Sequence, residues 1–166
     1  MTNKFATAAV AAAVLATGMF GATAASAATA TADAKANILQ QVTVTKTADL
    51  DFATIVSGAA SSTVAVSPLG VRTCGVGLVC SGTATAAGFN ITGTTGTTVT
   101  LASDANVTLN SGANSMVATL NTSSATHVLT GVALTDQFTV GGSLAVAANQ
   151  ADGNYAGTFN VTVNYQ

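Results

Sequence analysis

From position 42 to 165 the chain alternates apolar residues with hydroxyl and amide residues in short runs, separated by Gly, Asn, Asp and Ser. A period of two sends one set of side chains to a buried face and the other to water, the pattern of a β-strand and not of a helix. The clearest run is the last, where Tyr155, Phe159, Val161, Val163 and Tyr165 share one parity and Thr158, Asn160, Thr162 and Asn164 the other. Strands are predicted over 42–46, 51–56, 63–67, 83–92, 97–102, 106–110, 115–121, 127–134, 137–140, 143–147 and 155–165. So many short strands in one domain-sized stretch, 41–166, predict an all-β sandwich. Gly141-Gly142 interrupts an otherwise continuous apolar run, and such a pair is expected to mark a bulge or a corner.

The wet faces are polar without being charged. Only 6% of the residues are charged, with Lys+Arg 4, Asp+Glu 6 and a net charge of -2. No basic stripe exists to hold phosphates, so nucleic acid is excluded as a partner. All six acids are Asp, which leaves few of the titrating groups that catalysis draws on. No enzyme chemistry and no cofactor is expected. His127, the one histidine, is expected as an exposed strand residue, because no Gly-x-Ser-x-Gly elbow accompanies it. Asp49-x-Asp51, Asp104-x-Asn106 and Asp152-x-Asn154 offer oxygens without continuing into a calcium loop, and read as turn residues, so no metal is expected. The threonine-rich run 92–100 reads as a wet hairpin between strands.

The beginning of the chain has another character. Lys4, the apolar run from Phe5 to Phe20 and the small-x-small site Ala25-Ser26-Ala27 predict a signal peptide over 1–27, cut between Ala27 and Ala28. The apolar run is too short and too rich in Ala for a membrane span, and none is expected after cleavage. Cys74 and Cys80, separated by a Gly-rich spacer of five residues, are expected to form a disulfide in an exported protein, and the spacing fits no metal site.

After the cleavage site the alternation continues in diluted form. Ala28, Ala30, Ala32, Ala34, Ala36 and Ile38 occupy one parity, with Thr29, Thr31, Asp33, Lys35 and Asn37 on the other. Counted on to Thr45, the alternation would span roughly 56 Å of extended chain, two to three times an ordinary strand. The economical reading makes Val42 the start of the domain's own first strand and residues 28–40 an extension that completes a sheet elsewhere. Ala30, Ala32, Ala34, Ala36 and Ile38 would be the inserted side chains, contributing of order 6 kcal/mol before ordering costs. A low-complexity linker is the competing reading.

Phe138-x-Val140-Gly141-Gly142-x-Leu144-x-Val146, then Gln150-x-x-Gly153-x-Tyr155-x-Gly157-x-Phe159-x-Val161-Thr162-Val163-x-Tyr165, resembles the signature of the bacterial exported proteins grouped as domain-of-unknown-function family 4402 (DUF4402). Leu50-Asp51-Phe52 with Ile55, Val64-x-Val66-x-Pro68-x-Gly70 and Ala87-x-Phe89-x-Ile91-x-Gly93 agree with it; the family pattern places Gly where this chain has Ala53. That family is similar to the spore-coat-U and chaperone-usher pilin group. The resemblance implies an incomplete immunoglobulin-like, pilin-like sandwich with an extended N-terminal strand donated to a neighbouring subunit. It implies a fimbrial homopolymer built by donor-strand exchange. A periplasmic chaperone and an outer-membrane usher would be its partners, with passage through the periplasm to a fibre at the cell surface. Tyr155, Phe159, Val161, Val163 and Tyr165 would then border the acceptor groove and meet the chaperone. The reading from another class is a monomeric secreted or surface-coat, adhesive binding domain whose extension closes its own sheet.

Overall fold

The computed structural model describes residues 27–166; the predicted signal peptide lies outside the described residues except for Ala27, which is exposed, as is Ala28. Where the alternation is strong, strands form: β1 (Thr43–Ala48), β2 (Thr54–Val56), β3 (Ser62–Val66), β4 (Arg72–Cys74), β5 (Val79–Ser81), β6 (Ala87–Thr92), β7 (Thr98–Ser103), β8 (Asn106–Ser111), β9 (Asn114–Thr122), β10 (Thr126–Val128), β11 (Gln137–Val146) and β12 (Val161–Tyr165). Every pairing is antiparallel, and the described residues contain no helix. The fold is an all-β sandwich.

The largest sheet runs β1-β6-β11-β3-β4, with β9 on β11 and β8 beyond β9. A second sheet runs β10-β7-β12, and β2 pairs with β5 in a small third. β1 and β2 are two pieces of one N-terminal run that pairs with one returning run. Thr43 faces Thr92 at one end and Val56 faces Val79 at the other, with a bridge from Asp51 to Thr85 between them. Ala53 makes that run turn: it takes φ 58°, where a side chain is disfavoured by about 1 kcal/mol, and its N–H is held by the Asp51 carboxylate at 2.7 Å. The turn that the family pattern gives to Gly is therefore kept with Ala.

β11 is the axis of the core. Its even positions, Phe138, Val140, Leu144 and Val146, are all buried, and Gly142 keeps the parity between them. A bulge would have reversed the parity, so the expected break at Gly141-Gly142 is corrected to one unbroken strand. What changes there is the neighbour. Val140 pairs with both Ala87 and Thr122, and Leu144 with both Val64 and Ala118, so β9 lines one edge while β6 and then β3 share the other. The incoming chain at Val66–Pro68 passes over Gly141 so closely that a Cβ there would overlap the Val66 carbonyl and sit 2.7 Å from the Pro68 nitrogen.

The inward side chains pool into one cluster. Ile91, Val99, Val64, Val66, Val140, Leu129 and Leu144 are its most enclosed members, each contributing about 1.5–3 kcal/mol by burial. Phe89 stacks on Phe138 at 5.1 Å and meets Phe159 edge-on at 6.4 Å.

Four further expectations change. Residues 92–100 are no hairpin: β6 and β7 belong to different sheets, and the segment carries the chain from one to the other. The run 127–134 is a strand only through Val128, because the loop after it is held by a buried carboxylate. Tyr155–Tyr165 is a strand only over its last five residues, although the whole odd parity except Gly157 faces inward. β4 and β5, three residues each, were too short for alternation to reveal.

Candidate functional site

Apart from Cys74 and Cys80, the predicted site residues fall in two stretches of the chain, the segment before β1 and the run that ends in β12. Residues 27–42 join no strand. Ala30, Ala32, Ala34 and Ala36 are exposed, and Ile38 is 90% exposed. An apolar side chain this open on a periodic segment has no partner among the described residues.

β12 lies at the edge of its sheet. Its ladder with β7 sets Val161 opposite Ser103 and Tyr165 opposite Val99. Asp104 N donates to Asn160 O at 3.0 Å and Gln166 N to Thr98 O at 3.0 Å, so the even residues are the hydrogen-bonded positions. In an antiparallel ladder the intervening residues then point their N–H and C=O the other way. Val161, Val163 and Tyr165 therefore present backbone donors and acceptors to the outer edge while their side chains face the core. Upstream, Ala156 bridges Asn110 of β8, so the run from 156 onward follows β8 and then β7. Asp104 reinforces this by accepting from Asn160 N at 2.7 Å and from its side-chain amide at 3.1 Å. The Asp104 carboxylate is thus a long-range tie.

Tyr165 closes one end of this edge. Its hydroxyl donates to Gln40 O at 2.6 Å and accepts from Thr94 N at 2.8 Å, while Gln40 N donates to Thr94 Oγ1 at 2.7 Å. Gly93 is required here, since a Cβ would lie 2.8 Å from Leu129 Cδ1 and against the tyrosine hydroxyl. Toward the other end a cleft of about 540 Å³ opens between Leu50, Phe52 and Ile55 on the N-terminal run and Gln150, Asp152 and Tyr155 on the segment before β12. Leu109, Met116, Leu144 and Val146 also line it. Tyr155 is held by donating to Ala151 O at 2.9 Å and accepting from Gln150 Nε2 at 2.8 Å.

Cys74 and Cys80 form the expected disulfide, with Cα atoms 6.1 Å apart, and it joins β4 of the large sheet to β5 of the small one. Arg72 crosses the same joint, donating to Phe52 O at 3.2 Å and Ser81 O at 2.9 Å. The bridge closes a short loop, so replacing both cysteines by Ser is expected to cost about 2 kcal/mol, seen as a lower urea midpoint with the slope unchanged.

His127 is not the exposed residue the sequence suggested. It is half-buried in β10 and its Nε2 lies 3.0 Å from Asp136 Oδ1. Asp136 is 2% exposed and also accepts from Thr130 N, Thr130 Oγ1 and Gly131 N at 2.8–3.1 Å. Burial works to raise its pKa, but these hydrogen bonds, first from the Thr130 backbone and then from His127, hold it down to about 2. This carboxylate folds the loop 129–136 and puts Leu129 into the core. Its only trace in the sequence is a lone Asp at the end of a threonine-rich turn.

Residues 42–165 match a family described as a domain of unknown function, DUF4402. The chain belongs to this family. The DUF4402 match begins one residue before β1 and ends on the last residue of β12, so it coincides with the sandwich and leaves the alternating segment 28–41 outside. No curated protein and no solved structure matches the chain. Among the described residues of this DUF4402 protein, no helix is long and apolar enough to cross a membrane.

Proposed function

We propose that this DUF4402 protein is an exported, non-enzymatic structural subunit of a bacterial surface fibre, assembled when residues 28–38 of one copy add a strand to the sandwich of the next. The observation that carries the reading is the unpaired segment itself: a period-two run, exposed throughout, ahead of a sandwich that forms without it. β-Augmentation joins a full main-chain ladder to alternate side chains, which is what such a run can supply. The immunoglobulin-like, incomplete character of the sandwich, the chaperone and usher, and passage through the periplasm follow from the resemblance to pilins and belong to this proposal.

One observation favours a second reading. Tyr165 holds Gln40, at the root of the extension, against the end of β12, and an extension so anchored could close the same chain's edge and leave a monomeric coat or binding domain. Deleting residues 28–38 separates the two. In the fibre reading the intact protein runs on an unboiled denaturing gel as a ladder that heat collapses to monomer. The deleted protein gives no ladder and remains a soluble subunit held by its chaperone. A deletion that unfolds the domain, with no ladder from the intact protein, overturns the fibre reading in favour of self-closure.

A further inference from the structure

The cleft beside Tyr155 is a place where the core of the sandwich comes to the surface. Phe52, Leu144 and Val146 are almost fully buried, yet all three line this opening of about 540 Å³. Half-buried Leu109 and Met116 extend the apolar floor. The volume falls within the roughly 300–1,000 Å³ of small-molecule sites, which join an apolar lining to a few polar groups. The chain itself fixes the walls. Asn149 N donates to Gly58 O at 2.8 Å and Ser57 Oγ to Gln150 O at 3.1 Å, tying the segment before β12 to the N-terminal run, while the bridge from Asn110 to Ala156 ties it to β8. A cleft held in this way costs little ordering when it is filled.

The rim decides which charge can enter. Asp51 and Asp152 line the cleft, and among the described residues no Lys, Arg or His does. The nearest basic groups in the chain are engaged elsewhere, Lys46 by Asp49 and Arg72 by the carbonyls of Phe52 and Ser81. An anion moving in would lose water and meet two like charges, whereas a cation would exchange part of its water for two carboxylates.

We infer that this cleft binds a small amphiphilic cation, an aliphatic body of several methylenes that ends in an ammonium group. The body lies on Leu109, Met116, Leu144 and Val146, and the ammonium stands beside Asp51 and Asp152. Each methylene laid on that floor strengthens binding about two- to fourfold. The site uses neither residues 28–38 nor the outer edge of β12, so it is independent of strand donation.

The test titrates the processed full chain, its disulfide intact, with n-butylammonium, n-octylammonium, octanol and octanoate, all below micelle-forming concentration. Methyl resonances of Leu109, Leu144 and Val146 report where each probe goes. Octylammonium is expected to shift these methyls and to bind at least tenfold more tightly than butylammonium and than octanoate. Asp152→Asn, a change on an exposed side chain, is expected to weaken octylammonium about threefold and leave octanol unchanged, and added salt to do the same. Met116→Trp, which fills the floor, is expected to weaken every probe, with the urea midpoint showing that the domain is folded. Affinity that ignores chain length, octylammonium bound no more tightly than octanoate, shifts confined to methyls outside the cleft, or no binding at all each overturns the site.

Discussion

Replacing Asp136 by Ala is expected to cost the domain about 3–4 kcal/mol, one of the two largest losses from any single side chain outside the apolar core. The carboxylate meets Thr130 N, Thr130 Oγ1, Gly131 N and His127 Nε2 together. Without it, buried donors lose their partner, and the loop that seats Leu129 in the core has nothing to close on. Asp136→Asn keeps the shape and part of the hydrogen bonding, so about 2 kcal/mol is expected. The same group sets an acid limit. Its pKa falls from 3.8 to about 2 on folding, so its contribution of about 2 kcal/mol is complete above pH 4 to 5 and disappears as pH drops toward 2. Urea unfolding between pH 7 and pH 2 reads both effects: wild type loses this increment below pH 4, and Asp136→Asn does not. An Asp136→Ala protein within 1 kcal/mol of wild type at pH 7 would show that the loop holds without its carboxylate.

Gly141→Ala is the second large effect, expected at about 3 kcal/mol, with Gly142→Ala beside it costing about 1 kcal/mol or less. The contrast comes from what each added methyl would meet. At Gly141 the obstacles are all backbone: the Val66 carbonyl, Ser67 C and Pro68 N, the last two at 2.7 Å. Backbone held in a sheet cannot move aside, so the strain spreads into β3. At Gly142 the nearest atoms are the ends of Leu50 and Leu120, at 3.1 and 3.2 Å, which can rotate away, and the one backbone neighbour, Thr119 O, stands off at 3.3 Å. Paired urea titrations of the two variants decide it, and equal losses would mean that the partner exchange on β11 is not the reason for the glycines.

Much of this molecule was written locally. β8 and β9 lie within a residue of their predicted bounds, because a run of alternating residues with one wet and one dry face leaves little else to form. The inward parity of Tyr155, Phe159, Val161, Val163 and Tyr165 was legible for the same reason, even where the backbone of 155–160 joins no ladder. The disulfide was legible from the short Gly-rich spacing between Cys74 and Cys80. His127 with Asp136 was not, since nine positions separate the two and their meeting depends on a turn whose hydrogen bonds the side-chain pattern does not encode.

What the sequence determined by itself was the class of fold and the face each residue of a strand presents. Side-chain polarity at a period of two is enough for these, because burial acts on side chains one face at a time. Tertiary structure alone decided which strands are neighbours: that β11 exchanges β6 for β3 at Gly141, that 92–100 crosses between sheets, and that the uncharged C-terminal run lies on an edge. Neighbours are joined by backbone N–H and C=O groups, which are nearly the same at every residue, so their choice follows from how the whole chain packs and from where two backbones can approach.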